Sequence, residues 1–179
     1  MAKKIKFAVI GSPISHSRSP EIHLEFATQA SLDIEFNKVE LNKSNLDDWV
    51  HSFFLEGGKG LSVTLPFKED CFSLADEVSL RANKTKAINV LYNKKGKILA
   101  DCTDGLGLVK DLVENKNQKI KDKSILLIGA GGAARGVLPS ILEEDPKSIV
   151  VANRTIEKAK KIVEEFSSEA YQTLSLIHI

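Results

Sequence analysis

The sequence predicts an α/β protein of two domains with mostly parallel sheets. Three observations carry this. Short apolar runs suited to strands alternate with stretches of helical spacing along the whole chain. A polar, basic segment, "NKNQKIKDK" at 115–123, interrupts that alternation. Beyond it an apolar run ends in a glycine cluster, "LLIGAGGAARG", and a helix-forming stretch follows.

In order, "IKFAVIG" reads as a buried strand, and "SPEIHLEFATQAS" as a helix. The helix is indicated by the spacing of Ile22, Leu24, Phe26 and Ala27, with Pro20 suited to the first helical position. "IEFNKVEL" alternates like a strand, and "SNLDDWVHSFFLEGG" is an amphipathic helix from a Ser44 or Asn45 cap to a Gly57-Gly58 stop. "KGLSVTLP" is a strand, and "FKEDCFSLADEVSLRANKT" is expected to be mostly helix. "AINVLYN" and "KILADC" flank a Lys-Lys-Gly turn and form a hairpin. "GLGLVKDLVEN" is a helix leading into the linker. Then come "SILLIGA" as a strand, "AARGVLPSILEED" as a helix, "SIVVANR" as a strand and "TIEKAKKIVEEF" as a helix. A first domain is expected at 1–104, a bridging helix and linker at 105–120, and a second domain at 121–170.

The 179 residues are 42% hydrophobic and 27% charged with a net charge of +1, an ordinary globular composition. Near-neutral charge gives no reason to expect nucleic acid or an acidic membrane surface as a partner. Cys71 and Cys102 are the only cysteines, too few for a disulfide framework, and a reducing cytoplasm fits. The apolar stretch Phe7 to Ile10 is too short for a signal peptide, and no segment approaches the roughly 18 apolar residues of a membrane span.

Gly129-Ala130-Gly131-Gly132-Ala133-Ala134 fits G-x-G-x-x-A, the dinucleotide fingerprint with alanine in third place. The first glycine permits the tight turn, the second admits a pyrophosphate, and the small third residue lets helix and strand pack closely. Free N–H groups at the helix start then favour an anion. Glycine-rich strand–helix turns also occur simply as tight turns. The next strand sharpens the choice, because it ends in Asn153-Arg154-Thr155 with Lys158 one turn later, and lacks the acid that accepts a ribose hydroxyl. A guanidinium suits a 2′-phosphate, so NADP(H) is the expected cofactor, although a solvated Arg154 explains the residue taken alone.

Three stretches of the first domain collect polar side chains at strand ends, where ligands of open α/β sheets bind. In "GSPISHSRSPEIH", helix capping alone explains Ser19, but not Ser15, His16 and Ser17. In "SVTLPFKED", Lys68 falls in the first turn of an expected helix, where a cation opposes the dipole, although most single lysines are solvated surface groups. In "ADCTDGLGL", Asp104 or Thr103 serves as an N-cap, and Asp104 also marks the domain junction. A Lys and an Asp meeting there would exchange a proton with a hydroxyl as it becomes a carbonyl.

Together "GSPISHSRSP", "VTLPFK", "AIN", "TDGLGL", "GAGGAARG" and "NRT" resemble the shikimate dehydrogenase family, in that family's order and over about residues 5–166. The resemblance implies an N-terminal α/β substrate domain followed by a Rossmann-type NADP-binding domain, here truncated. It implies the reversible, NADP-dependent reduction of 3-dehydroshikimate to shikimate, on the route to chorismate and aromatic amino acids. Lys68 then corresponds to the catalytic acid/base and Asp104 to its partner. Ser17 and Ser19 correspond to ligands of the substrate carboxylate, and Thr64 and Asn89 to ligands of ring hydroxyls. Gly129, Ala130, Gly131, Gly132 and Ala133, with Asn153, Arg154, Thr155 and Lys158, match the cofactor segments. Three positions depart from the family: Ser62 and Cys102 stand where Asn is usual, and Val90 where Thr is usual. They put fine substrate preference in question more than reaction type. His16 and His23 are expected to have loop or core roles. No metal is expected, and the partners are the small-molecule substrate and, at full length, a second subunit.

A doubly wound domain needs more parallel strands than the two that are clear after Gly129, and the family's later glutamine-bearing helix has no counterpart. The chain is therefore expected to be an N-terminal fragment. The final "LSLIHI" does not resemble the family and matches in-frame readthrough of a sequencing adapter, so 171–179 is expected to be a non-native tail. A quinate/shikimate dehydrogenase is the alternative within the enzyme class. A non-catalytic shikimate- or nucleotide-binding fragment is the alternative for the chain as it stands.

Overall fold

A computed structural model describes residues 4–167 and 174–178. Contacts divide the chain into two units, Met1–Asn83 with Ala87–Cys102, and Lys84–Lys86 with Thr103–Ile179.

The first unit is a six-stranded sheet in the order β2-β1-β3-β5-β6-β4. β1 (Ile5–Gly11) runs parallel to β2 (Ile34–Glu40) and to β3 (Gly60–Val63). β5 (Val90–Lys94) is antiparallel to β3 and to β6 (Lys97–Asp101), and the short β4 (Glu77–Val78) pairs parallel with β6. The hairpin turn narrows to Lys95-Gly96, both at positive φ (55° and 87°), as a tight two-residue hairpin turn requires.

One face of the sheet carries the main core. Ala8, Ile10, Leu61, Val63, Leu91, Ile98 and Ala100 point into it by the two-residue alternation of strands. α2 (Leu46–Leu55) covers it with Leu46, Val50 and Phe54, spaced four apart and all buried. Each such side chain contributes about 1.5–3 kcal/mol on burial. α1 (Ser19–Gln29) lies on the other face, where Ala27 joins Val9, Ile14, Ile34 and Phe36 in a smaller cluster. His23 has a structural role there: its ring stacks on Phe36 at 4.4 Å and its Nδ1 lies 2.8 Å from the Ser19 carbonyl oxygen. His16 is exposed in the loop.

The mostly helical expectation for 67–85 is corrected. A 3-10 turn, Asp70–Leu74, is followed by β4 and then by the short helix α3 (Leu80–Thr85). Pairing of Glu77 and Val78 with β6 takes two residues out of any helix, and Ser79 starts a new one by accepting the Ala82 N–H at 3.1 Å. Lys68 lies in the turn ahead of this 3-10 segment, so no α-helix dipole opposes its charge.

The second unit holds α4 (Asp104–Lys110), which continues as a π-turn over Asp111–Asn115, and the parallel sheet β7-β8-β9. β7 (Ser124–Ile128) and β8 (Ser148–Asn153) are the expected strands. β9 (Leu174–His178) is a third, within the stretch expected to be a non-native tail; residues 171–173 and 179 of that tail lie outside the described residues. α5 (Gly132–Leu142) and α6 (Ile156–Phe166) bury Ala134, Leu138, Ile141, Ala159 and Ile162 against Ile149 and Val151. An ion pair between buried Arg135 and exposed Glu165 ties the two helices, with the Arg135 guanidinium 5.7 Å from the Phe166 ring centroid. The other face of β7 leaves Leu126 and Ile128 exposed. No helix among the described residues is long and apolar enough to cross a membrane.

Gly11 sits where β1 closes on the chain after β3. A Cβ there would lie 2.7 Å from Thr64 Cγ2 and 2.9 Å from the Leu65 carbonyl oxygen, which is backbone. Gly11→Ala is therefore expected to destabilise by about 1–3 kcal/mol, as overpacking does, measured as a lower urea midpoint with an unchanged slope.

Candidate active site

The polar residues singled out in the first unit gather at one end of its sheet, beyond the carboxyl ends of β1 and β3. The serine loop after β1 meets the loop after β3 through the Ser12 N–H, which donates to the Leu65 carbonyl at 2.9 Å. The Thr64 N–H donates to the Ile10 carbonyl at 3.0 Å. The backbone of Ile88 and Asn89 then joins three segments. The Ile88 N–H donates to the Lys68 carbonyl (2.8 Å), the Asn89 carbonyl accepts from the Val63 N–H (2.8 Å), and the Asn89 N–H donates to the Asp101 carbonyl (3.1 Å). Thr64, Lys68 and Asn89, distant in sequence, are thereby fixed on one backbone network, each half-buried.

Ser17 and Ser19 form a pair of their own. Their hydroxyls are 3.2 Å apart, and Ser17 Oγ accepts the Ser19 N–H at 3.3 Å. Ser19 is the first residue of α1, whose cap position is Arg18 with no side-chain cap, so capping does not account for Ser19. From β2, Lys38 Nζ donates to the Ser15 carbonyl at 2.7 Å and steadies the same loop.

Asp104, expected beside Lys68, opens α4 in the second unit, with Thr103 at the cap position and no side-chain cap made. The departures share one neighbourhood. Register places Ser62 opposite Val90 and Val90 opposite Asp101, and buried Cys102 comes next in the chain.

Sequence reasoning missed Asp101. Its carboxylate accepts from Arg81 (Nη2–Oδ2 2.6 Å, Nε–Oδ1 3.3 Å), from Ser79 Oγ (2.5 Å) and from the Cys102 N–H (2.8 Å). Burial works to raise its pKa, but the hydrogen bonds from Arg81, Ser79 and Cys102, with the Arg81 charge, outweigh it and hold the group below the ordinary 3.8. The available signal was Ser79 preceding a helical stretch, but reading that stretch as continuous helix concealed it. Burial, with smaller effects of Asp70 and Asp47, pushes the Cys71 thiol up to about 12, which keeps it protonated and inert.

In the second unit the glycine turn sits at the carboxyl end of β7. Gly129 has φ +117°, which disfavours any side chain, and its N–H donates to the Ala152 carbonyl at 2.8 Å. Gly131 is the cap residue of α5, and a Cβ there would meet nothing within 4 Å. Packing within the protein thus gives no reason for glycine at 131, whereas close approach of a ligand does. Unlike α1, α2 and α6, α5 has no acid in its first turn, which leaves its positive end for an anion. Ala130 and Ala134 are buried and Gly132 half-buried, while Ala133 is exposed. Across from the turn β8 ends at Asn153, whose Nδ2 donates to the Thr155 carbonyl at 2.7 Å, and Arg154, Thr155 and Lys158 are exposed. These residues fit a phosphorylated dinucleotide.

Comparison with known proteins agrees. Residues 9–91 match the family model of the shikimate dehydrogenase substrate binding domain, and residues 111–179 match that of shikimate / quinate 5-dehydrogenase. The chain belongs to the shikimate dehydrogenase family. It is 47% identical over 162 residues to the shikimate dehydrogenase (NADP(+)) of Chromobacterium violaceum, an alignment covering 90% of this chain and 59% of that protein. It thus spans about three-fifths of that relative. The crystal structure of shikimate dehydrogenase from Aquifex aeolicus superposes with a TM-score of 0.90 at 32% identity, covering 99% of this chain and 64% of that one. Shikimate 5-dehydrogenase from Listeria monocytogenes, in complex with shikimate and NAD, gives 0.87 at 28%, covering 98% and 61%.

Because Asp101 has a lowered pKa when folded, its stabilising effect is complete above about pH 4 and is lost as pH falls through the lowered value. Asp101→Asn is expected to cost about 2 kcal/mol at pH 7, the scale of a hydrogen bond to a charged group. The difference from wild type should shrink as pH falls through the lowered value, read in denaturant titrations across pH.

Proposed function

We propose that the enzyme carrying this sequence reversibly reduces 3-dehydroshikimate to shikimate, using NADPH, on the route to aromatic amino acids in the cytoplasm. The observation that carries this reading is the backbone network that holds Thr64, Lys68 and Asn89 together at the strand ends. Family membership supports the substrate, and the glycine turn with Arg154 beyond β8 supports NADP over NAD.

In this mechanism Ser17 and Ser19 donate hydroxyl hydrogen bonds to the substrate carboxylate. Thr64 and Asn89 hold ring hydroxyls. The Lys68 ammonium gives a proton to the carbonyl oxygen during reduction and takes it back in the reverse direction, and Asp104 is assigned the role of its acid–base partner. The N–H groups from Gly129 to Ala133 would hold the pyrophosphate, and Asn153, Arg154, Thr155 and Lys158 would hold the 2′-phosphate. NADPH, when bound, supplies the hydride.

Shikimate with NADP⁺ is expected to give nucleotide reduction, followed by absorbance, far better than shikimate with NAD⁺. Comparable turnover of quinate with NAD⁺ would instead assign a quinate/shikimate dehydrogenase. Shikimate binding by the 179-residue chain without turnover would make that chain a binding fragment. Lys68→Ala is expected to lower kcat about 10²- to 10⁴-fold, the range of acid–base catalysis, while shikimate still binds in calorimetry. Arg154→Ala should cut the preference for NADP⁺ over NAD⁺ by about 10- to 100-fold, read as the ratio of kcat/KM values, since a hydrogen bond to a charged group is worth about 1.5–3 kcal/mol.

A further inference from the structure

Asp101 grips both ends of one excursion of the chain. The segment 79–89 leaves the sheet edge after β4, forms α3, and returns at Asn89 to begin β5. At its start, Ser79 Oγ donates to Asp101 Oδ1 (2.5 Å) while accepting the Ala82 N–H (3.1 Å), so one hydroxyl both caps α3 and binds the carboxylate. Two residues on, Arg81 places Nη2 2.6 Å from Oδ2 and Nε 3.3 Å from Oδ1. At the end of the segment, the Asn89 N–H donates to the Asp101 carbonyl at 3.1 Å. The Cys102 N–H donates to Oδ1 at 2.8 Å and fixes the carboxylate relative to its own backbone. The Asp101 side chain is 18% exposed and that of Arg81 51%, so the pair is only partly screened by solvent.

We propose that Asp101, clamped by Arg81 and Ser79, is a positioning residue for Asn89, and through it for substrate hydroxyl binding. This rests on the assignment of Asn89 to a substrate hydroxyl. A bidentate guanidinium–carboxylate pair allows little rotation, because two parallel hydrogen bonds fix the planes of both groups. With the carboxylate held, the Asp101 carbonyl presents one direction to Asn89, and the Val63 and Lys68 links do the rest from the other side. Arg81 and Ser79 therefore act on ligand affinity while bonding to neither Asn89 nor Lys68 in the network described.

The test uses the 179-residue chain, with shikimate as the probe. Affinity is measured by calorimetry, at a temperature where each variant is folded, and the ligand-free Asn89 side-chain amide is followed by NMR. Arg81→Met and Asp101→Asn are each expected to weaken shikimate about tenfold, the scale of a small misplacement of a binding group, and to move the Asn89 amide signals. Arg81→Lys, which keeps the charge, should recover part of the affinity. Arg81→Met combined with Asp101→Asn should be no worse than either alone, because both break one clamp. Folded variants that bind shikimate like the wild type and leave the Asn89 signals in place would overturn the proposal. If the wild-type chain itself binds no shikimate, the substrate assignment of this fragment fails. The ligand-free Asn89 signals then decide the clamp alone, shifted signals supporting it and unmoved ones sinking it.

Discussion

The backbone of Ile88 and Asn89 is the constraint on which the substrate side of this protein depends. Two residues, bonded to β3, to the Lys68 turn and to the end of β6, convert three separate stretches of chain into one surface. Buried peptide groups need partners, so each bond also removes a desolvation cost that a displaced loop would incur. The arrangement has the economy of open α/β sheets, in which side chains from several strand ends converge without belonging to one motif. The antiparallel β5 makes it possible here, because its first residues arrive at the edge where the parallel strands β1 and β3 finish.

A second constraint acts in the other unit, where the turn after β7 is shaped for a ligand more than for the protein. Gly129 is required by its backbone angle. Nothing among the described residues requires Gly131, since a side chain there would meet no atom of theirs within 4 Å. The helix that follows carries no acid in its first turn, in contrast to three other helices of the chain. A backbone angle that needs glycine, open space at Gly131 and a helix start without an acid are features that favour an anion.

Much of this was legible in advance. Apolar runs and helical spacing located β1, β2, α2, β7, β8 and α6, because each of these elements buries apolar side chains and the sequence pattern records that burial directly. The serines, Lys68 and the glycine turn stand out by local pattern, and Asn89 by motif order. The failures have two sources. In 67–85 the local pattern was helical, but pairing of Glu77 and Val78 with β6, twenty residues later, competed with helix formation and won. The same misreading hid Ser79 as a cap, and with it the Arg81–Asp101 pair. A hydrogen bond across about twenty residues leaves no periodic trace. Ser19 erred in the opposite direction: capping is a local rule, and the pairing of its hydroxyl with Ser17 displaced it.

By itself the sequence determined the α/β class, the glycine turn, the cation beyond the following strand and the identities of the polar residues at strand ends. These depend on residue type and short spacing, which a linear string contains. Tertiary structure decided which of those residues share a backbone network, that Ser19 pairs with Ser17, that Ser62 and Val90 are cross-strand neighbours, and that Asp101 holds both ends of 79–89. Those facts depend on strand order and register, and a strand neighbour is chosen by packing across the sheet, not by proximity along the chain.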